Sequence, residues 1–170
     1  MYSFGTDEYI ERTVRTHSDS MLRAAYSVLH TTADAEDAVQ EAFVRLMTRA
    51  PDFRDAGHEK AWLLRVTINI ARNIRKSKAR EALPLDDSMP VAAESSEQQG
   101  ELLQLVLGLP EKYSTIIHLY YYEGYSIKEI ADILRLPSAT VGTRLARGRA
   151  ALRAEIGAQT DLSSEGEKIS

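Results

Sequence analysis

Apolar residues recur along this chain at helical rather than strand spacing. Ile10, Val14, Met21, Leu22, Ala25, Val28 and Leu29 fall at intervals of three, four and seven, with His17 and Ser18 interrupting the stripe, so the segment reads as one helix or two. Thr31 and Thr32 carry hydroxyls that can cap a second helix, and Asp34, Glu36 and Asp37 sit in its first turn, where the helix dipole favours acids. Its predicted buried face is Ala35, Ala38, Val39, Ala42, Phe43, Leu46 and Met47. Pro51 ends it, and 52–58 reads as a loop. A long third helix is predicted from about Glu59 to Arg80, with Leu64, Ile68, Ala71 and Ile74 on one face.

From 81 to 100 the periodicity fades into prolines, serines, glutamines and acids, the texture of an acidic flexible linker. Helical spacing returns at 101–107 and from Pro110 through Tyr122. Glu123, Gly124 and Tyr125 form a turn. Ser126-Ile-Lys-Glu129 matches a capping box opening a short helix, Arg135-Leu-Pro137 turns the chain, and Ser138 can cap a last helix carrying Val141, Leu145, Gly148, Leu152 and Ile156. The expected fold is all-α: two small helical domains, 7–80 and 101–156, joined by the linker and followed by a disordered tail at 157–170.

Composition removes several function classes. The chain has 170 residues, 44% of them hydrophobic and 27% charged, within the ordinary range for a soluble globular protein. There is no cysteine, which excludes disulfides, thiol catalysis and thiolate-bound zinc, and no histidine pattern replaces them, so neither metal nor cofactor is expected. No apolar run is long enough to cross a membrane and no leader precedes the first helix, so a cytoplasmic location is expected. The net charge of −4 argues against nucleic acid until its distribution is read. Lys60, Arg65, Arg72, Arg75, Lys76, Lys78 and Arg80 follow one another without an acid among them, as do Arg135, Arg144, Arg147, Arg149 and Arg153, while acids gather at 34–41 and 81–101. Segregation of this kind suits several partners of different sign.

Three segments are candidates for function. Tyr125 to Arg153 has the pattern of a helix-turn-helix, its second helix presenting Thr140, Thr143, Arg144 and Arg147. Such a helix fits the major groove, and arginine can bond guanine edges bidentately. A helical hairpin whose arginines face water fits the same pattern. On the third helix Trp62, Arg65, Asn69, Asn73, Lys76 and Arg80 share a face, a basic stripe with ring and amide groups suited to phosphates and unpaired bases, or equally a solvated face. Phe53, Arg54 and His58 in the preceding loop would wall it. The acids Asp34, Glu36, Asp37 and Glu41 lack the histidines, glycine-rich loop or nucleophile of a catalytic site, so no enzyme is expected; they solvate a helix or meet a basic protein surface.

Four stretches, in order, resemble the sigma-70 family: Asp34-Ala-Glu-Asp-Ala-Val-Gln-Glu-Ala-Phe43, Lys60-Ala-Trp-Leu-Leu-Arg-Val-Thr-Ile-Asn69, Leu109-Pro-Glu-Lys112, and Ser126-Ile-Lys-Glu-Ile-Ala131 with Pro137-Ser-Ala-Thr-Val-Gly-Thr-Arg-Leu145. The subgroup they are most similar to is the small extracytoplasmic-function sigma factors, which keep regions 2 and 4. The resemblance implies a protein that gives core RNA polymerase promoter recognition and melting. Asp34, Asp37, Gln40 and Glu41 would dock on polymerase. Phe53 and Asn69 would form a pocket for a flipped base of the minus-10 element, with Trp62 among its contacts and Arg65, Arg72, Lys76 and Arg80 along the DNA backbone. Thr140, Thr143, Arg144 and Arg147 would read the minus-35 element or its phosphates, and the linker would thread the RNA channel. The implied partners are core polymerase, promoter DNA and an anti-sigma factor. Gly142 and Ala146 depart from the family by offering almost no side chain to the groove, and Arg135 stands where glycine is common. The alternative reading is a stand-alone helix-turn-helix regulator, which would need a dimer or ligand domain that 7–80 does not resemble.

Overall fold

Local chemistry sets most of the helix ends in the computed structural model, which describes residues 7–49, 51–81 and 97–167. The first helix, α1 (Asp7–Leu29), is single and unbroken. The polar interruption at His17 is itself buried, its Nε2 lying 3.3 Å from Glu59 Oε1. Helix α1 ends at His30, which adopts a left-handed φ of 59° and donates its backbone N–H to the Tyr26 carbonyl at 2.9 Å. In α2 (Thr32–Arg49) the Thr31 hydroxyl donates to the Asp34 carboxylate at 2.8 Å rather than accepting from a backbone N–H. The third helix, α3 (Ala56–Glu81), starts three residues before the predicted Glu59, because Asp55 Oδ1 accepts the His58 backbone N–H at 2.8 Å.

These three helices pack through Met21, Ala24 and Val28 of α1, Ala38, Ala42 and Leu46 of α2, and Leu64, Ile68 and Ala71 of α3, all fully buried or nearly so. Alanines at the crossings let the backbones approach. Met47 is half exposed, at 49%, and does not join this core. It lies one position past Leu46, on the flank where α2 turns towards solvent.

The second set comprises α4 (Glu97–Gly108), α5 (Glu111–Ile117), a π-helical turn over His118–Tyr122, α6 (Ile127–Leu134) and α7 (Ser138–Glu167). The π-turn closes with the Glu123 N–H on the His118 carbonyl at 3.2 Å, and Gly124 leaves it with φ 74°. The capping box forms as expected: Ser126 Oγ accepts the Glu129 N–H at 3.1 Å, and Glu129 Oε1 accepts the Ser126 N–H at 3.0 Å. Arg135 closes α6 in the left-handed region, φ 54° and ψ 48°, a conformation costing a non-glycine residue about 1–2 kcal/mol. Its N–H bonds the Ala131 carbonyl, as does that of Leu136. Most of the expected linker lies outside the described residues, and α4 begins at Glu97, inside that span. Helix α7 also runs through Gly157 to Glu167 where a disordered tail was expected. One glycine costs a helix only about 1 kcal/mol, and no proline follows it.

Both expected helical units are present, and they share a core. Helix α1 packs on α4 and α5, and α3 on α6. Ser114 Oγ donates to the Ser27 carbonyl at 2.6 Å, and the Ser27 and Thr115 hydroxyls meet at 2.9 Å, all three residues being buried. Two histidines of the first unit bear on stability: His30, beside Leu107 and Glu111 at this seam, and His17, against Glu59. Burial lowers the pKa of His17, partly offset by Glu59; burial and then the Arg75 charge lower that of His30, partly offset by the Leu107 backbone and Glu111. A histidine held below its ordinary value binds fewer protons folded than unfolded. Its stabilisation is therefore complete above about pH 6.5 and is lost as pH falls through that value towards the folded pKa. Carboxylates such as Glu123 and Asp34, whose pKa values are lowered, lose their contribution only at more acid pH. A lower Tm at about pH 5.5 than at about pH 7.5, at fixed ionic strength, is the expected result. Equal melting at the two values would remove the histidines from the stability of the fold.

Candidate nucleic-acid and protein interfaces

Three surfaces carry the predicted residues. On α2, burial of Ala35, Ala38, Ala42 and Leu46 turns the opposite side to water, where Glu36, Asp37, Gln40 and Glu41 are exposed. Asp34 is not part of that free face. Its carboxylate accepts from Thr31 at 2.8 Å and Lys78 Nζ at 2.5 Å, and its side chain is only 15% exposed. Burial alone would raise its pKa, but the Lys78 and Thr31 bonds outweigh that and hold it below the usual carboxylate range. The helix instead adds two exposed apolar side chains, Val44 and Met47, in line with Asp37, Gln40 and Glu41 at steps of three and four. That spacing was visible in the sequence; the exposure of Met47 was not.

On α3 and its leading loop, Phe53 meets His58 edge-on at 5.4 Å and Trp62 at 5.7 Å between ring centroids. Trp62 is half-buried, so its ring braces the core and the loop together. Beside Phe53 opens a cavity of about 480 Å³ between α1 and the loop. Tyr9, Arg12, Thr13, Thr16 and His17 form one wall, and 52–56 with Glu59 the other. Tyr9 Oη donates to Glu59 Oε2 at 3.0 Å; burial and then that carboxylate push the phenol up to about 12. Asn69 does not line this cavity. It is exposed farther along α3, beyond Trp62 and Arg65, so the two halves of the expected base pocket are not brought together.

The polar and basic residues of α3 divide into three groups. Asn69, Asn73, Lys76 and Arg80 stand exposed. Lys78 pairs with Asp34 of α2, and Lys60, Arg65, Arg72 and Arg75 reach across to the second helical unit. Lys60 Nζ contacts Glu123 Oε2 at 2.7 Å, Arg65 donates to the Asp132 carbonyl at 3.2 Å, and Arg72 and Arg75 bond the two Glu111 oxygens at 2.7 and 3.0 Å. The Glu123 side chain, only 3% exposed, also meets Ser20 at 3.3 Å, Arg23 at 3.9 Å and His118 Nε2 at 3.3 Å. Burial would raise its carboxyl, but His118 and the Lys60 ammonium outweigh it and hold it at about 2. Sequence reading passed over Glu111 and Glu123, because neither belongs to a local charge cluster.

In the helix-turn-helix, Val141 and Leu145 bury α7 against α6, leaving Thr143 and Arg147 exposed and Thr140 and Arg144 half-exposed. A Cβ added at Gly142 would meet nothing within 4 Å, so the face is open there. Arg149 is occupied: its Nε donates to Tyr121 Oη at 2.5 Å and its guanidinium lies 5.4 Å from the Tyr120 and Tyr121 ring centroids. Among the described residues no cluster of acids and histidines could hold a metal ion, and no helix is long and apolar enough to cross a membrane.

Comparison with known proteins bears on the same two segments. The profile of Sigma-70 region 2 matches residues 13–81, and that of Sigma-70, region 4 matches 99–152. The chain is 34% identical over 161 residues to ECF RNA polymerase sigma factor SigW of Bacillus subtilis, covering 84% of this chain and 86% of SigW. It is 30% identical to ECF RNA polymerase sigma factor SigM of Mycobacterium tuberculosis, covering 89% of this chain and 79% of SigM. Among solved structures, RpoE bound to the anti-sigma factor NepR from Bartonella quintana superposes with a TM-score of 0.73 over 89% of this chain and 98% of RpoE. At 19% identity that likeness is one of fold alone. CnrH in complex with the cytosolic domain of CnrY matches with a TM-score of 0.63 at 25% identity, covering 91% of each chain.

Proposed function

Because the chain belongs to the sigma-70 family, as an extracytoplasmic-function RNA polymerase sigma factor that directs transcription initiation, we propose how its surfaces divide that work. Residues 7–81 dock on polymerase and hold the melted minus-10 element, and 97–156 hold the minus-35 duplex. The observation that carries this reading is the pair of exposed basic faces on different helices: Asn69, Asn73, Lys76 and Arg80 on α3, and Thr143 with Arg147 on α7. One suits unpaired bases on a phosphate track, the other a major groove. The cavity beside Phe53 is of a size to take a flipped base, with Thr13, Thr16 and Arg12 as its polar wall. The acid and apolar stripe of α2 is the polymerase contact. The protein itself catalyses nothing and works in the cytoplasm, where polymerase is, with an anti-sigma factor as a further partner.

Run-off transcription from a promoter library, with core polymerase alone and with this protein added, tests the reading. Defined promoters should fire only in its presence. If polymerase binds the protein and no promoter fires, the role is that of an adaptor; if polymerase does not bind it, the stand-alone regulator replaces this reading. Within the minus-35 surface, Arg147→Ala should weaken binding by about 1–3 kcal/mol on the preferred sequence only, as loss of a base-edge contact does. An equal loss on every sequence would make Arg147 a phosphate contact.

A further inference from the structure

From the turn that leads into α3, we propose that His58 is the positioning residue of the loop that carries Phe53, holding the cavity wall in the shape that receives an unpaired base. The proposal rests on the reading of that cavity as the minus-10 base site. Asp55 and His58 close the start of α3 between them. Asp55 Oδ1 accepts the His58 N–H at 2.8 Å, and His58 Nδ1 in return accepts the Arg54 N–H at 3.1 Å. In a capping box the side chain at this third helical position reaches back to the N–H of the capping residue itself, as Glu129 does to Ser126 at 3.0 Å. His58 reaches one residue farther, into the loop.

That one-residue difference gives the bond its consequence. The Arg54 N–H belongs to the peptide unit joining Phe53 to Arg54, and a peptide unit is planar, so holding it fixes ψ of Phe53 and φ of Arg54. The direction in which the Phe53 side chain leaves the backbone is set with them. The imidazole also meets the Phe53 ring edge-on at 5.4 Å, while Trp62 meets that ring from α3 at 5.7 Å. Residues 52–56 with Glu59 form one wall of the cavity, so the same bond shapes that wall. Capping α3 does not require it, because Asp55 already accepts from the first turn. The imidazole accepts here through Nδ1, which leaves the ring hydrogen on Nε2, and it adds none of the negative charge that a glutamate at this position would bring to a DNA site.

Only promoter opening uses the cavity, because a paired base does not enter it. His58→Leu removes the acceptor, and His58→Asn returns an amide oxygen to the place of Nδ1. Both variants are made in the full-length chain and assembled with core polymerase on a promoter from the run-off selection. Mobility shift of the duplex reports binding, and permanganate reactivity of the thymines around the minus-10 element reports opening. The expected result is that His58→Leu binds the duplex as the original protein does but opens it about three- to ten-fold less well, the effect of one lost hydrogen bond, and that His58→Asn recovers most of the opening. Intact duplex binding shows that the variant is folded. Opening by His58→Leu equal to that of the original protein, or a His58→Asn as defective as His58→Leu, would overturn the proposal. Phe53→Ala, measured alongside, separates this failure from that of the base site. If Phe53→Ala impairs opening, the base site stands without the His58 tie, and if it opens normally, the base site and the tie fall together.

Discussion

Replacing Asp37 and Glu41 together by lysine is expected to abolish co-purification with core RNA polymerase while the Tm and helical content stay at their original values. Both side chains are exposed on α2, and the one contact shown there, Glu41 to Arg45 at 3.6 Å, is an i,i+4 pair worth only a few tenths of a kcal/mol. The fold therefore loses almost nothing. A docking partner loses more, because two acids become two bases on a face that continues into the exposed apolar pair Val44 and Met47. Rim charges steer association, and like charges set against each other suppress it. Asp34→Asn serves as the contrast. Its carboxylate is tied to Lys78 and Thr31, so its loss should lower Tm and leave polymerase capture intact. Undiminished capture by the Asp37/Glu41 double variant would take the docking surface off α2.

Two glycines of α7 should respond to alanine with opposite sign. At Gly148 an added Cβ would stand 2.7 Å from Ile117 Cδ1, 3.2 Å from Tyr113 Cβ and 3.3 Å from Ile117 Cγ1. The Ile117 tip can swing aside, but the Tyr113 Cβ is fixed to the α5 backbone, so α5 and α7 must separate. Overpacking of this kind costs about 1–3 kcal/mol. That exceeds the gain of about 1 kcal/mol in helix propensity. Gly148→Ala is thus expected to be destabilising, and Gly148→Val more strongly so. At Gly142 nothing lies within 4 Å, and the propensity gain of about 1 kcal/mol is unopposed. Urea denaturation of both variants checks the contrast. A stabilised Gly148→Ala would mean that the α5–α7 contact is looser than its geometry.

What could be read from the sequence was what short-range chemistry determines. The capping box at Ser126 and Glu129, the turn through Arg135 and the acidic outward side of α2 all depend on residues within four positions of one another. Met47 was misassigned because helical periodicity cannot say where the neighbouring helix ends. The start of α4 was missed because Glu97, Gln98 and Gln99 carry no apolar signal of their own. Asp34 was grouped with its acidic neighbours because its partner, Lys78, lies 44 positions away. Glu111 and Glu123 were passed over for the same reason, their cations being supplied by α3. The candidate minus-10 surface was legible as a stripe, but which of its bases are free is a property of the packed chain.

The π-turn at His118–Tyr122 works as a spacer. It absorbs one residue more than an α-helical turn requires and closes with the Glu123 N–H on the His118 carbonyl. Deleting Tyr121 would let the same two groups close an ordinary α-helical bond, so Glu123 would keep its place opposite Lys60. Straightening the segment into α-helix at unchanged length would instead turn Glu123 by about 100° away from Lys60. In this stretch it is the wide turn, and not the number of residues, that keeps the carboxylate paired.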